Sequence, residues 1–323
     1  MEPRDTGGPR ERAAGEHLPV MVDEVLNYLD LEKGKVIVDG TVGSGGHAEA
    51  IARRISSGGR LIAVDRDQQA ILQSKGRLAP LAAQVSYYRE DYRDIRPILD
   101  DAGIDLVDGV LLDMGVSSLQ LDDPERGFSF RGEGPLDMRM DASEGETAAD
   151  IVNSASEDEL TRIMYSYGEE RWARRIARFI VESRERKPIE TTGELVKVIE
   201  NAVPAGARRG GKHPARRTFQ ALRIAVNHEL DGLEEAIRSA VFCLAETGRI
   251  VVLSYQSLED RVVKNTFNSL ARGPDFLPGP PRPPEPPIVK ILTKRPVTPG
   301  EEERESNPRS RSAKLRAAER TRY

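Results

Sequence analysis

Four short apolar runs, each closing on a polar turn and separated by helix-length segments, constrain this chain more than any other feature. Lys35–Asp39 (K-V-I-V-D) and Arg60–Asp65 (R-L-I-A-V-D) both end on an acid. Val85–Tyr88 runs into R-E-D-Y-R, and Val107–Asp113 (V-D-G-V-L-L-D) again ends on aspartate. Strands this apolar need cover on both faces, so the pattern predicts βαβ units and a parallel sheet. A helix around Val20–Leu29 precedes the first run.

The rhythm stops near Gly115, and the next hundred residues read as helical. Ser156 and Glu159 have capping-box spacing, and Gly168 is placed to end that helix. Arg171–Lys187 sets Trp172, Ile176, Phe179 and Ile180 on one face, with Pro188 as the stop. Thr191 and Glu194 open a third helix, with Leu195, Val198, Ile199 and Ala202 inward. A helix from about Phe219 to Ala245 leads to a strand at Gly248–Tyr255 and a helix near Leu258–Leu270. Eight of the 21 prolines fall within residues 274–287, an extended loop, before two last strands at Ile288–Thr293 and Ala313–Ala318. Residues 1–16, without periodicity, read as a disordered tail. The expected plan is an α/β domain in two parts, 17–120 and 218–323, interrupted by a helical domain at 121–217.

Composition fits that plan. Aromatic residues are only 5%, thin for an all-β core but adequate for a sheet of Val, Ile, Leu and Ala. The chain has no apolar stretch of about 18 residues. Its first twenty residues lack the apolar centre of a signal peptide, so a cytoplasmic protein without a membrane partner is expected. The single cysteine, Cys243, permits neither an intrachain disulfide nor a cysteine-based zinc site, and no metal is expected. The net charge of -5 argues against a phosphate-rich partner until its distribution is considered. Arg162–Arg223 carries 15 basic and 7 acidic residues, a net of +8 that leaves -13 on the rest. Between Ala205 and Arg223 lie six basic residues and no acidic one, which marks an anion-binding segment.

The turn after the first run is D-G-T-V-G-S-G-G-H, Asp39–His47. Glycines between a strand and a helix let the backbone turn tightly and approach a ligand, and Gly43, Gly45 and Ala48 meet a loose dinucleotide fingerprint. Asp65, ending the second run, is placed to accept hydrogen bonds from two ribose hydroxyls. Asp91 and Tyr92 follow the third run, where the ring can lie against an adenine. These turns share the carboxyl edge of the sheet. A nicotinamide cofactor and S-adenosylmethionine both fit. Two features favour the second: Asp39 is placed to meet a cationic amino or sulfonium group, and the two last strands suit a methyltransferase's antiparallel end. The fourth run closes in D-M-G-V-S-S-L-Q-L-D, where enzymes acting on exocyclic amines place acceptors that orient the amine and take its proton. Asp113 and Ser117 are the catalytic candidates.

Six further words occur in order: E-R-G-F-S-F-R (125–131), G-P-L-D-M-R-M-D (134–141), Y-G-E-E-R-W-A-R-R-I-A-R (167–178), H-P-A-R-R-T-F-Q-A-L-R-I-A-V-N (213–227), S-L-E-D-R (257–261) and N-P-R-S-R-S-A-K-L-R (307–316). With the glycine loop they resemble the MraW family of ribosomal RNA methyltransferases over roughly residues 17–322. The resemblance implies a Rossmann-like, S-adenosylmethionine-dependent sheet with an inserted all-helical domain that helps recognise substrate. It implies methylation of the exocyclic N4 of a cytidine in 16S rRNA of the small ribosomal subunit, at the decoding centre. It places cofactor contacts on Gly45, Gly46, His47, Asp65, Tyr92, Asp113 and Gln120. With an RNA substrate, the basic segment offers Arg208, Arg209, Lys212, Arg216 and Arg217 as contacts.

Departures from the family pattern are Gln256 where many members have His, Tyr92 for a common Phe, and Leu119 for a frequent Pro. Gln256 cannot exchange a proton near neutral pH, which disfavours a general base there. Arg126, Arg131 and Arg139 read either as ion-pair partners or as phosphate contacts, and Phe128 and Phe130 as packing or base stacking. Trp172 reads as core, and Asn307–Arg316 as a surface strand or an RNA contact. The oligomeric state, a homodimer included, is left open by the sequence.

Overall fold

A computed structural model describes residues 18–56, 58–208, 213–272 and 286–321, with only the backbone of residue 208. The tail at 1–16, Arg209, Lys212 and most of the proline-rich segment lie outside the described residues. In chain order the elements begin α1 (Val22–Leu29), β1 (Val36–Asp39), α2 (Gly46–Ile55), β2 (Arg60–Val64), α3 (Gln68–Leu78), β3 (Gln84–Tyr88), α4 (Ile95–Asp101) and β4 (Val107–Asp113). A helical stretch follows: α5 (Ser118–Asp122), α6 (Ala148–Ser154), α7 (Glu157–Gly168), α8 (Ala173–Arg184), α9 (Thr192–Ala202), α10 (Ala205–Arg208) and α11 (Ala215–Asn227). The chain then returns through α12 (Leu233–Phe242), β5 (Leu244–Ser254), α13 (Ser257–Arg272), β6 (Val289–Ile291), α14 (Glu301–Ser306) and β7 (Lys314–Arg320).

The seven strands form one sheet in the order β3-β2-β1-β4-β5-β7-β6. The first five pair in parallel, and β7 joins β5 and β6 antiparallel. Side chains alternate across the sheet. Val110 and Leu112 of β4 enter one core with α4, α12 and α13, and Leu111 enters the other with α1, α2 and α3. A third core, drawn from residues 128–222, belongs to the helical stretch, with Leu160, Ile176, Ile199 and Leu222 fully buried. Order reverses between β1 and β4, the position at which open α/β sheets leave a crevice for a ligand.

Several local features differ from the sequence reading. Ser156 accepts from Glu159 N, but the reciprocal bond of a capping box is missing there; Thr191 with Glu194 forms the full box. Gly168 does not end α7 from outside: it is the last helical residue, and Glu169 takes the left-handed cap. Gly168 is needed instead for close approach, because a Cβ there would lie 2.7 Å from the Arg217 carbonyl oxygen of α11. The helix expected over 219–245 is two helices, broken at His228 (φ 52°) and Gly232 (φ 66°). The basic loop shortens to the span between α10 and α11, so Arg216 and Arg217 sit in the first turn of a helix. Strand β5 starts four residues before Gly248, through an irregular register against β4 between Val107 and Gly109. Trp172 is half-buried at the edge of the third core. Residues 308–312 form a 3-10 turn rather than a strand.

Candidate active site

The turns after β1, β2, β3, β4 and β5 converge on one cavity of about 460 Å³, closed on its far side by α11 and the Phe128–Phe130 segment. Glycines 43 and 46, Ser44 and His47 line it from the first turn. Gly45 lies just behind that lining in the left-handed region (φ 84°), where a Cβ would meet Ser74 at 3.3 Å. Asp65 lines the cavity from β2. Its Oδ2 accepts from Gly43 N at 2.9 Å and its Oδ1 from Asp67 N at 2.9 Å. Burial pushes its carboxyl up to about 6 against these two bonds. Tyr92 lines the cavity from the third turn, its phenol pushed up by burial and by Asp91.

Asp113 closes β4 at the cavity floor. Its Oδ1 accepts from the Tyr255 hydroxyl at 2.8 Å, and its Oδ2 stands 3.5 Å from His47 Nδ1. Burial raises its pKa, opposed by His47 and by the Tyr255 hydrogen bond. The other ring nitrogen of His47, Nε2, donates to the Val20 carbonyl at 2.8 Å. Ser117 and Gln120 also line the cavity, and they cap each other: Gln120 N donates to Ser117 Oγ at 3.3 Å and Ser117 N to Gln120 Oε1 at 3.0 Å. The Gln120 amide then donates to Asp67 Oδ2 at 3.0 Å.

Asp39 does not behave as expected. Its carboxyl is 1% exposed, lies behind the cavity wall, and has no partner for Oδ2. Burial pushes it up to about 8. A short β1 buried on both faces carries its last side chain into the core instead of toward a ligand. Arg126 is an ion-pair partner: it binds Asp67 at 2.8 Å, both side chains nearly buried, and donates to the carbonyls of Arg139 and Met140. Arg139 pairs with Asp137. Arg131 lies over the Phe130 ring, and Phe130 stacks on His213 at 4.8 Å.

Two groups that sequence reasoning passed over, Glu259 and Arg223, face the same cavity, as does Gln256. Glu259 is 2% exposed, accepts from Tyr255 N at 3.0 Å and Gln256 N at 3.1 Å, and is pushed up to about 7 by burial and by Glu229. Arg223 holds Glu229 through two bonds of 2.7 and 2.8 Å. Gln256 leaves its Oε1 buried without a partner. The only advance signals were the words S-L-E-D-R and A-L-R-I-A-V-N. Asp260 of the first word binds Lys314 and Arg316, which ties α13 to β7. Arg309 reaches α5 through Ser118 and Asp122.

Arg216, Phe219, Gln220 and Arg223 share one face of α11 at helical spacing and line the cavity opposite the strand ends. Arg216 and Arg217 are exposed, and Arg217 donates to the Glu169 carbonyl at 3.0 Å. The side chain of Arg208 is outside what the structure describes, as are Arg209 and Lys212.

A residue set of this kind fits S-adenosylmethionine. The glycine turn gives close backbone approach, Asp65 offers acceptors at the β2 end, and Tyr92 offers a ring face, in a cavity of the volume typical of cofactor sites. Fold and site together define a Rossmann-like, S-adenosylmethionine-dependent methyltransferase. The family model described as MraW methylase family matches residues 14–321. A ribosomal RNA small subunit methyltransferase H of Geotalea uraniireducens is 52% identical over 94% of this chain and 98% of its own. Proteins of the same description from Halothermothrix orenii and Thermobifida fusca are 51% and 50% identical, covering 94% and 99% of this chain and 98% and 97% of their own. The chain belongs to the MraW methylase family.

Proposed function

We propose that this protein transfers a methyl group to the exocyclic N4 of a cytidine in 16S rRNA of the small ribosomal subunit, at the decoding centre. The carrying observation is the position of Asp113, a carboxylate at the end of β4 on the cavity floor, held by Tyr255 and facing His47. The description of the relatives as small subunit methyltransferases supports the same substrate. A cytoplasmic location accompanies that reading. Among the described residues no helix is long and apolar enough to cross a membrane.

When bound, the cofactor supplies an electrophilic methyl on sulfonium. The chain's own residues then have assignable tasks. Gly45, Gly46 and His47 shape the turn against the cofactor, Asp65 accepts from the ribose hydroxyls, and Tyr92 covers the adenine. Gln120 holds the wall between them through Asp67. Asp113 accepts an N4 hydrogen, which favours the pyramidal amine whose lone pair can attack. Ser117, with its hydroxyl at the same edge, offers a second acceptor. The target base must leave its stack to enter. Arg216 and Arg217 at the rim, with Arg208, Arg209 and Lys212, hold the RNA backbone.

The test is to incubate protein, methyl-labelled cofactor and small subunits, then digest the RNA to nucleosides. N4-methylcytidine is the expected product. Label on adenosine, or on no nucleoside, overturns the reading. Asp65→Ala should abolish transfer while sparing subunit binding; surviving transfer would remove Asp65 from the cofactor site.

A further inference from the structure

The word R-W-A-R-R-I-A-R has no role in the cavity, and the fold does not need its charges. Helix α8 buries Ala173, Ile176, Ala177 and Ile180 in the third core. Its outer face carries Arg174, Arg175 and Arg178, and Arg171 stands in the turn just before it; all four are exposed. Arg174 and Arg178 stand one helical turn apart beside Arg175, about 6 Å along the helix, and Arg171 extends the row into the preceding turn.

These arginines are not placed for stability. Arg171, Arg174 and Arg175 make no hydrogen bond or ion pair among the described residues, and Arg178 reaches only Glu182, at 3.5 Å, with both side chains more than half exposed. The neighbouring helices α7 and α9 carry acids in their first turns, which suits the helix dipole; α8 carries none and opens on two arginines, against the dipole. Like charges at i and i+4 repel as well.

The guanidinium groups are nonetheless held in place. Arg171 lies 5.4 Å over the Trp172 ring, and Arg175 and Arg178 lie 5.3 and 5.8 Å from the Phe179 ring. Planar cations ordered on aromatic rings lose less freedom when they meet an anion. The stripe also begins at the rim of the active site. Glu169, two residues before Arg171, accepts from Arg217 through its carbonyl, and its carboxylate lies 4.0 Å from Arg261. Next to it, the Tyr167 carbonyl accepts from Gln220, a cavity-lining side chain.

We infer that the outer face of α8 is a track for the phosphate backbone of the RNA substrate, running from the cavity rim at Arg171 outward to Arg178. This rests on the RNA-substrate reading above. Charge complementarity identifies the occupant: four arginines stacked on aromatic rings or clustered beside them, three of them without an ion pair among the described residues, suit a polyanion. The track is separate from the basic segment before α11 and lengthens the RNA footprint beyond it.

The experiment compares the full-length protein with Arg171→Ala/Arg174→Ala/Arg175→Ala and with the same three positions changed to lysine. Binding to a 16S rRNA fragment is followed against salt concentration, and methyl transfer is measured on small subunits. Loss of three phosphate contacts should reduce the slope of log affinity against log salt by about 2. The subunit KM should rise about tenfold or more, with turnover at saturation and S-adenosylhomocysteine affinity unchanged. The lysine variant should recover most of the KM, since point charges suffice for phosphates. An unchanged salt slope and KM in the alanine variant overturn the track. A KM rise that lysine does not recover, or one accompanied by lost S-adenosylhomocysteine binding, marks the arginines as structural and also overturns it. Should the unaltered protein bind RNA but transfer no methyl to cytidine, the function reading fails, and the salt slopes still decide the track.

Discussion

The Nδ1 atom of His47 stands 3.5 Å from Oδ2 of Asp113, while the opposite ring nitrogen donates to the Val20 carbonyl. A carbonyl only accepts, so Nε2 carries a hydrogen in every protonation state. Nδ1 is the ring nitrogen that faces the carboxyl. The pair therefore brings the glycine turn and the end of β4 together at the cavity floor.

Asp113→Asn keeps the size of the side chain and an oxygen for the Tyr255 hydroxyl, but removes the charge proposed to accept an amine hydrogen. Methyl transfer should fall on the order of a hundredfold. Calorimetric titration with S-adenosylhomocysteine should show a much smaller change in affinity. Undiminished turnover would take Asp113 out of the chemistry.

Three buried carboxyls make the cofactor-free protein sensitive to pH in an uncommon direction. Burial pushes Asp39 up to about 8, Glu259 to about 7 and Asp65 to about 6. Each folded value exceeds the unfolded one, so each contribution is fully present below the unfolded value, near pH 4, and is lost as pH rises through the folded value. Stability should decline from about pH 4 to about pH 8. Asp39→Asn cannot ionise and should gain on the order of 2 kcal/mol over the parent at pH 8, with little difference at pH 4. Thermal melts at both pH values read this out, at a few degrees per kcal/mol. Equal differences at the two pH values would show that Asp39 does not ionise in this range.

Much of this architecture was legible because each strand declares itself locally. Val107–Asp113 is β4 to the residue, and the K-V-I-V-D and R-L-I-A-V-D runs are β1 and β2 to within one residue. Strand β5 was read four residues short, since Ala245–Gly248 (A-E-T-G) breaks the apolar run while the backbone still pairs. The break between α11 and α12 had a signal in H-E-L-D-G, whose His228 and Gly232 both adopt positive φ. Glu259 and Arg223 were not legible. They lie 36 positions apart and share a cavity only after α11 folds over the strand ends. Asp39 misled because its place before the glycines fits both a ligand contact and a buried end of strand, and only burial separates the two.

The Asp67–Arg126 pair ties the cofactor turn to the helical insertion. Asp67 binds Asp65 through its backbone, while Arg126 holds two carbonyls of the 137–141 segment, which Asn227 of α11 also clamps. Removing one partner strands a buried charge. Arg126→Met should cost about 3 to 5 kcal/mol in urea unfolding. Adding Asp67→Asn to it should recover part of that loss. A double variant no more stable than the single one would show that the arginine's carbonyl bonds, not its charge, carry the cost.

Gly168 tests the seating of α11. A methyl group there would stand 2.7 Å from the Arg217 carbonyl oxygen, closer than real contacts allow, and 3.2 Å from the Ala221 side chain, tighter than most. The glycine itself lies at the helical end of α7 without positive φ, so Gly168→Ala carries no backbone penalty and even gains helix propensity, about 1 kcal/mol. Steric conflict must therefore dominate, with overpacking costs of about 1 to 3 kcal/mol. The helices α7 and α11 should separate slightly, moving Arg216 and Gln220 at the cavity wall. Net destabilisation together with a raised subunit KM is the expected outcome, read by melting and by initial rates on small subunits. A stabilised protein with unchanged KM would show that α7 and α11 are spaced widely enough to accept a side chain.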